Sequence, residues 1–329
     1  MDLKEKINSR LKSEDNTGFG ANSNNSGDRF YNRKGKATIK KRGIRILDRH
    51  SWYHTMIEMP LGKFLLLIFV IYIAINLVFA GFYYLVGIEH LAGIITGTPF
   101  KNFTEVFFFS TQTFTTVGYG RISPTGFVTS AIATFEAFLG LLNFAIATGL
   151  FYGRFSRPQA FLKFSQHALI TPYKNGIALM FRMAPYKNNN LSEAEVKLTM
   201  GIRIEENGTM ANKFYNLDLE ISKINALTLS WTIVHSINEK SPLYGFTEND
   251  IKNTRIELLV FVKAFDEVFS NTVVARTSYI SSEIIWGAKF KLMYHPAPDK
   301  SHTILDLDKL NDYDKAEIIQ IAAVSQRQS

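Results

Sequence analysis

No cysteine occurs in the 329 residues, which removes disulfides and thiolate metal sites from consideration. A Walker-type phosphate loop, a metal-ligand cluster and a nucleophile elbow are missing as well. His235 lies in an apolar, strand-like run without a partner constellation and reads as a structural histidine. No enzyme and no cofactor are expected. Charge is absent from Phe64 to Val86, where Asn76 is the one strongly polar residue. A second apolar run, Phe127 to Gly153, is interrupted by Glu136 and Asn143. Each exceeds the roughly 20 residues that a helix needs to cross the hydrocarbon core. The first run begins too far from the N-terminus, and is too long, for a secretory signal.

Basic residues are scarce between the two runs, where only Lys101 and Arg121 occur. They crowd outside them: Lys34, Lys36, Lys40, Lys41, Arg42, Arg45 and Arg49 precede the first run, and Arg154, Arg157 and Lys163 follow the second. The positive-inside rule then puts both termini in the cytoplasm and the connecting segment outside. The net charge of +8 is explained by this topology and by anionic lipid, so nucleic acid is not expected as a partner.

Four regions follow. Residues 1–35 are rich in Asn, Ser, Gly and charge and read as a flexible tail. Residues 36–60 form an N-terminal segment in which 47–59 reads as an interfacial amphipathic helix, with Trp52, Tyr53, Met56 and Ile57 at helical spacing. Residues 61–157 read as an all-α membrane domain, with spanning helices at 61–86 and 127–155. Between them a run at 103–115, too short to cross the bilayer, reads as a re-entrant helix. From 158 to 329 the period changes to two. Val196, Leu198, Met200, Ile202 and Ile204 alternate with Lys197, Thr199, Gly201 and Arg203, and further runs occupy Ile177–Met183, Ile256–Phe265, Thr272–Ile280 and Lys289–Tyr294. Many short strands predict an all-β sandwich, with a terminal helix from Asp308 to Val324.

Directly after the re-entrant helix comes Thr116-Val117-Gly118-Tyr119-Gly120. A potassium ion sheds water only where other oxygens replace its hydration shell at similar cost. Successive backbone carbonyls do this when they point the same way, which requires alternating backbone hands, and Gly118 and Gly120 reach positive φ without a Cβ clash. The carbonyls of Thr116, Val117, Gly118 and Tyr119 would hold the ion, and the Thr116 hydroxyl would add an inner ring. One chain carries one loop and four are needed to surround an ion, so a homotetramer is expected.

Beyond the filter, the sequence resembles the inward-rectifier potassium channels, in particular their bacterial branch, across nearly all of residues 35 to 320. The resemblance rests on Phe107-Phe108-Phe109-Ser110-Thr111-Gln112-Thr113, Tyr152-Gly153-Arg154-Phe155-Ser156-Arg157-Pro158, Leu229-Ser230-Trp231-Thr232-Ile233-Val234-His235, Ser241-Pro242-Leu243-Tyr244 and Glu283-Ile284-Ile285-Trp286-Gly287. It implies an immunoglobulin-like cytoplasmic sandwich, a bacterial inner (plasma) membrane location, and a gate where the inner helices cross. Tyr152 matches the gate position, although Phe151 and Phe155 are also candidates. It further implies control by anionic lipid headgroups, with Arg49, Lys63, Arg154, Arg157 and Lys163 as the contacts. Magnesium or polyamines are implied as blockers at the cytoplasmic pore acids, matched by Glu193 and Glu267.

Three positions depart from the family pattern. The cavity acid of strong rectifiers is replaced by Phe144, beside Asn143, which weakens the case for steep block there. The glutamate that braces the filter in eukaryotic relatives is Gln112 here. Arg121 follows the filter directly, where many potassium channels carry Asp, and a positive ring at the outer mouth would lower local potassium. Glu136, inside a span, is expected to brace the pore helix rather than to meet ions. Two other readings, a translocating subunit of an active uptake system and a membrane-tethered partner-binding sandwich, do not account for one undegenerate filter with its own pore helix.

Overall fold

The computed structural model describes residues 18–19, 29–39, 42–43, 51–187, 189–206 and 209–318. The chain divides into two units, one spanning Arg42–Arg157 and the other combining Met1–Lys41 with Pro158–Ser329.

In the first unit, α1 (Trp52–Glu58) ends at Met59, whose extended backbone is the conformation that a following proline imposes. Then α2 (Leu61–Val86) and, later, α4 (Phe127–Phe155) are each long and apolar enough to cross a membrane. Between them α3 (Pro99–Phe114) begins four residues before the expected start. The reason is local: the Thr98 hydroxyl accepts from the Lys101 amide at 3.3 Å, and Pro99 brings a preset φ to the first helical position. At 16 residues, α3 reaches only about 24 Å. Its Val106 and Phe109 are buried with Phe79, Ala80 and Tyr83 of α2 and Ala133 of α4. A two-residue ladder, β1 (Leu91–Ala92) against β2 (Ser123–Pro124), joins the segments flanking α3 and the filter.

The second unit is a sandwich of two five-stranded sheets. One runs β11 (Asn271–Ile280), β10 (Ile256–Asp266), β6 (Leu191–Glu206), β7 (Thr209–Asn216), with β8 (Lys223–Leu227) also paired to β6. The other runs β12 (Ile284–Trp286), β4 (Ala168–Tyr173), β5 (Gly176–Pro185), β3 (Leu162–Phe164), with β9 (Trp231–Ile237) paired to β5. Leu179, Phe181 and Met183 of β5 share one core with Val196, Leu198 and Met200 of β6 and with Leu258, Val260 and Val262 of β10.

Three expectations need correction. Residues 29–35, assigned to a flexible tail, are held against β10 and β11. The amides of Phe30 and Tyr31 donate to the Glu257 carboxyl, Arg29 and Arg33 pair with Glu283, and Phe30 joins Phe214 and Leu259 in a small apolar cluster. This cover explains why Ile256 to Val260 of β10 are all buried, whereas from Phe261 onward the strand returns to alternation. The run Lys289–Tyr294 is not one strand but falls between two short ones, Ala288–Phe290 and Tyr294–Pro296. The terminal helix expected from Asp308 to Val324 is replaced, as far as Ile318, by a 3₁₀ turn (Leu307–Asn311) and a strand, Tyr313–Lys315, paired with Ala288–Phe290. Residues 319–324 lie outside the described set.

Candidate functional site

The filter loop leaves the end of α3 with its amides turned back on the helix. Val117 and Gly118 both donate to the Gln112 carbonyl, at 2.9 and 3.3 Å, and Thr116 donates to Thr113 at 3.0 Å. Positive φ occurs at Thr116 (59°), Gly118 (51°) and Gly120 (79°), and not at Val117 or Tyr119. The backbone hand therefore alternates residue by residue, the pattern that carries successive carbonyls to one side. The first positive φ falls two residues before the first of these glycines, at a β-branched threonine. Such a conformation costs of order 1–3 kcal/mol and persists only where the surroundings enforce it, here through the amides anchored on Gln112. Val117 and Tyr119 are exposed in the single chain, so their side chains are not packed into this chain's own core.

Two supports flank the loop. On its outer side Arg121 donates to Glu105 of α3 at 2.6 Å and to the Gly93 carbonyl at 3.3 Å. Gly93 has φ +85°, and a Cβ there would sit 1.7 Å from the Arg121 carbonyl oxygen. Arg121, from which a positive ring was expected, is thus ion-paired with Glu105 of its own chain. On the inner side a Cβ at Gly140 of α4 would fall 1.9 Å from the carbonyl oxygen of Phe114, the last residue of α3. The glycine is what lets α4 approach the root of the filter.

Glu136 is fully buried with Asn76, Ser110 and Tyr83. The Tyr83 hydroxyl donates to its Oε2 at 2.7 Å, and Ser110 of α3 bonds its Oε1. Its geometry is that of a brace among three helices.

Farther along α4, Asn143 is half-buried and Phe144 is 73% exposed. Of the three aromatic candidates for a gate, Phe151 packs edge-on against Phe64 of α2 at 5.2 Å, whereas Tyr152 is 75% exposed. Phe155 is exposed and stacks on Phe151 at 6.1 Å.

The basic residues assigned to lipid differ in their surroundings. The Arg154 guanidinium caps the end of α1, donating to the carbonyls of Met56, Ile57 and Met59, and lies over the Phe64 ring. A cation there also meets the negative end of the helix. Arg157 reaches Glu58 at 3.4 Å. Lys63 is exposed on the first turn of α2, and Lys163, in the second unit, lies over the Tyr186 ring. Arg49 falls outside the described residues.

In the sandwich, Glu193 sits at a bulge where β6 loses register with β10 between Lys263 and Phe265. Its φ of 49° fits a bulged residue whose side chain is re-aimed, and its carboxylate lies 3.6 Å from Lys223. Glu267 is exposed just past β10, its amide bonded to the Asn190 carbonyl. His235 is buried, with Nδ1 on the Asp218 carbonyl at 2.6 Å and Nε2 on Ser241 Oγ at 2.8 Å. Burial holds its pKa below the ordinary imidazole value. Both nitrogens are spent on structure.

Sequence reasoning missed Gly140, Gly153 and Glu105. A Cβ at Gly153 would lie 2.9 Å from the Tyr53 hydroxyl and 3.4 Å from Ile57 of α1. A glycine within an apolar span was the available signal for both helix contacts, whereas Glu105 carried none.

Residues 162–329 match the family model described as inward rectifier potassium channel C-terminal domain, and residues 65–157 match the one described as ion channel. The inward rectifier potassium channel Kirbac3.1 of Paramagnetospirillum magnetotacticum is 34% identical over 289 residues, which cover 86% of this chain and 95% of that protein. The G protein-activated inward rectifier potassium channel 2 of Homo sapiens is 28% identical over 290 residues, covering 80% and 67%. Inward rectifier potassium channel irk-1 of Caenorhabditis elegans is 26% identical over 273 residues, covering 77% and 50%. With a filter loop of alternating hand on a short helix between two spans, the chain belongs to the inward rectifier potassium channel family, and it is a potassium channel rather than an enzyme.

Proposed function

We propose that four copies of this chain surround one axial pore and that potassium passes down its electrochemical gradient through the carbonyls of Thr116, Val117, Gly118 and Tyr119. The alternating hand at Thr116, Gly118 and Gly120 carries the reading, because one such loop lines only a quarter of an ion's shell. Exposed Val117 and Tyr119 pack against the neighbouring subunits. The pore closes where Tyr152 side chains meet at the inner ends of α4, and Asn143 and Phe144 line the cavity above. With no acid in that cavity, block by magnesium or polyamines depends on Glu193 and Glu267, whose carboxylates would concentrate cations. Both termini face the cytoplasm across a bacterial inner membrane. Anionic headgroups meet Lys63, with Arg49, Arg157 and Lys163 as further contacts.

Purified protein in liposomes provides the test. Barium-sensitive, ATP-independent rubidium uptake that excludes sodium, from a particle of tetrameric mass, is the expected result. A strictly monomeric or dimeric particle, or equal passage of sodium, would overturn the reading. Tyr152→Ala should raise resting flux, and an unchanged flux would overturn the placement of the gate at Tyr152.

A further inference from the structure

The hydrogen bonds around Glu136 do not balance if its carboxyl is ionised. Asn76 Nδ2 donates to the Tyr72 carbonyl at 2.7 Å. That carbonyl has no hydrogen to give, so the amide orientation is settled and Asn76 Oδ1 faces Ser110 Oγ at 3.1 Å. Ser110 Oγ also contacts Glu136 Oε1. A serine hydroxyl has a single hydrogen. With a carboxylate at Glu136, either Asn76 Oδ1 or Glu136 Oε1 would face a lone pair, in a site where all three residues are fully buried. One added proton resolves it. Tyr83 then donates to Glu136 Oε2, Glu136 Oε1 donates to Ser110, Ser110 donates to Asn76 Oδ1, and Asn76 donates to Tyr72.

We propose that Glu136 carries a proton at neutral pH and, as a neutral acid, acts as a positioning residue that sets α3 and, through it, the filter. Ser110 lies two residues before Gln112, whose carbonyl holds the Val117 and Gly118 amides, so a shift at Ser110 reaches the loop through rigid helix. Tyr83 is the titratable group that faces the carboxyl from α2, Ser110 is its partner from α3, and no basic side chain bonds to it among the described residues. An ionised carboxylate at this depth would need a cation or water to offset its desolvation; the neutral acid needs neither. The inference rests on the channel reading for its consequence but not for the proton itself.

Infrared spectroscopy of the reconstituted full-length channel tests the proton directly. A carbonyl stretch of a protonated carboxyl group should be present at neutral pH, vanish in Glu136→Gln, and shift to higher frequency in Tyr83→Phe, which removes one hydrogen bond to that group. Absence of the band in the parent protein would overturn the proposal. Rubidium flux tests the consequence. Glutamine keeps the pattern, donating to Ser110 and accepting from Tyr83, so E136Q should keep rubidium-over-sodium preference within about twofold, while Glu136→Ala should lose it. E136Q failing as badly as E136A, with the band present in the parent, would show that the proton is real but does not position the filter. A band without any selective flux in the parent would instead sink the channel reading alone.

Discussion

Arg121 and Glu105 form a 2.6 Å ion pair that ties the residue after the filter to the second turn of the helix before it. The filter is thereby fastened to α3 at both ends, through the Gln112 carbonyl on the inner side and this pair on the outer side. Arg121→Asp should set two acids side by side and loosen the outer mouth, costing about 1 kcal/mol for a half-exposed pair. The double variant Glu105→Arg with Arg121→Asp should recover most of the loss. Denaturation midpoints and rubidium-over-sodium preference of the singles and the double check this; additive losses would show that the pair is idle.

Gly140→Ala forces a methyl group against the Phe114 carbonyl, which belongs to backbone and cannot rotate away. Overpacking of this kind costs roughly 1–3 kcal/mol, and more where the neighbour is rigid. Rubidium flux should fall sharply, with a lower unfolding temperature. A variant that conducts and melts like the parent would mean that α4 does not lie this close to the filter root.

Arg154 spends its donors on the end of α1, so its removal should act through gating rather than through lipid affinity. Charged hydrogen bonds of this type contribute roughly 1.5–3 kcal/mol each when partly buried. Arg154→Gln should therefore change open probability in vesicles of zwitterionic lipid alone, whereas Lys63→Gln should alter only the response to added anionic lipid. Planar-bilayer recordings in the two lipid compositions separate these outcomes.

His235 makes the sandwich sensitive to acid. Burial holds the folded pKa below the ordinary imidazole value of 6.5, so between the two values the unfolded chain binds a proton that the folded chain refuses. The stabilisation is complete above about pH 6.5 and is lost as pH falls toward the folded value. Glu257 works with the opposite sign, since burial raises its carboxyl above 4.5. The quantity to read is the difference between the parent and His235→Asn. The parent's melting temperature should fall more steeply from about pH 6.5 to pH 5, and parallel curves would refute the assignment.

How much was legible beforehand depends on the range of the interaction. The helix start at Pro99 was written in two adjacent residues, Thr98 and Pro99, and could have been read from them. The strands of the sandwich showed in their alternation, but the cover over β10 did not, because residues 29–35 look like a polar tail until Glu257 and Glu283 supply partners for their amides and guanidinium groups. Likewise the terminal stretch from Asp308 has helical composition, yet Tyr313–Lys315 finds a strand partner at Ala288–Phe290.

Taken alone, the amino-acid order settled what neighbouring residues impose on each other: two spans long enough for a bilayer, a short helix, and a loop whose glycines permit alternating hands. Folding in three dimensions decided what each ionisable group meets. Glu136 found Tyr83 and Ser110 across 53 and 26 residues, Arg121 found Glu105, and Arg154 found the end of α1. The length of an apolar run and the φ range open to a glycine belong to the residues themselves, and hence are written locally. The partner of a charge is set by which helices pack side by side, and no short stretch of sequence records that.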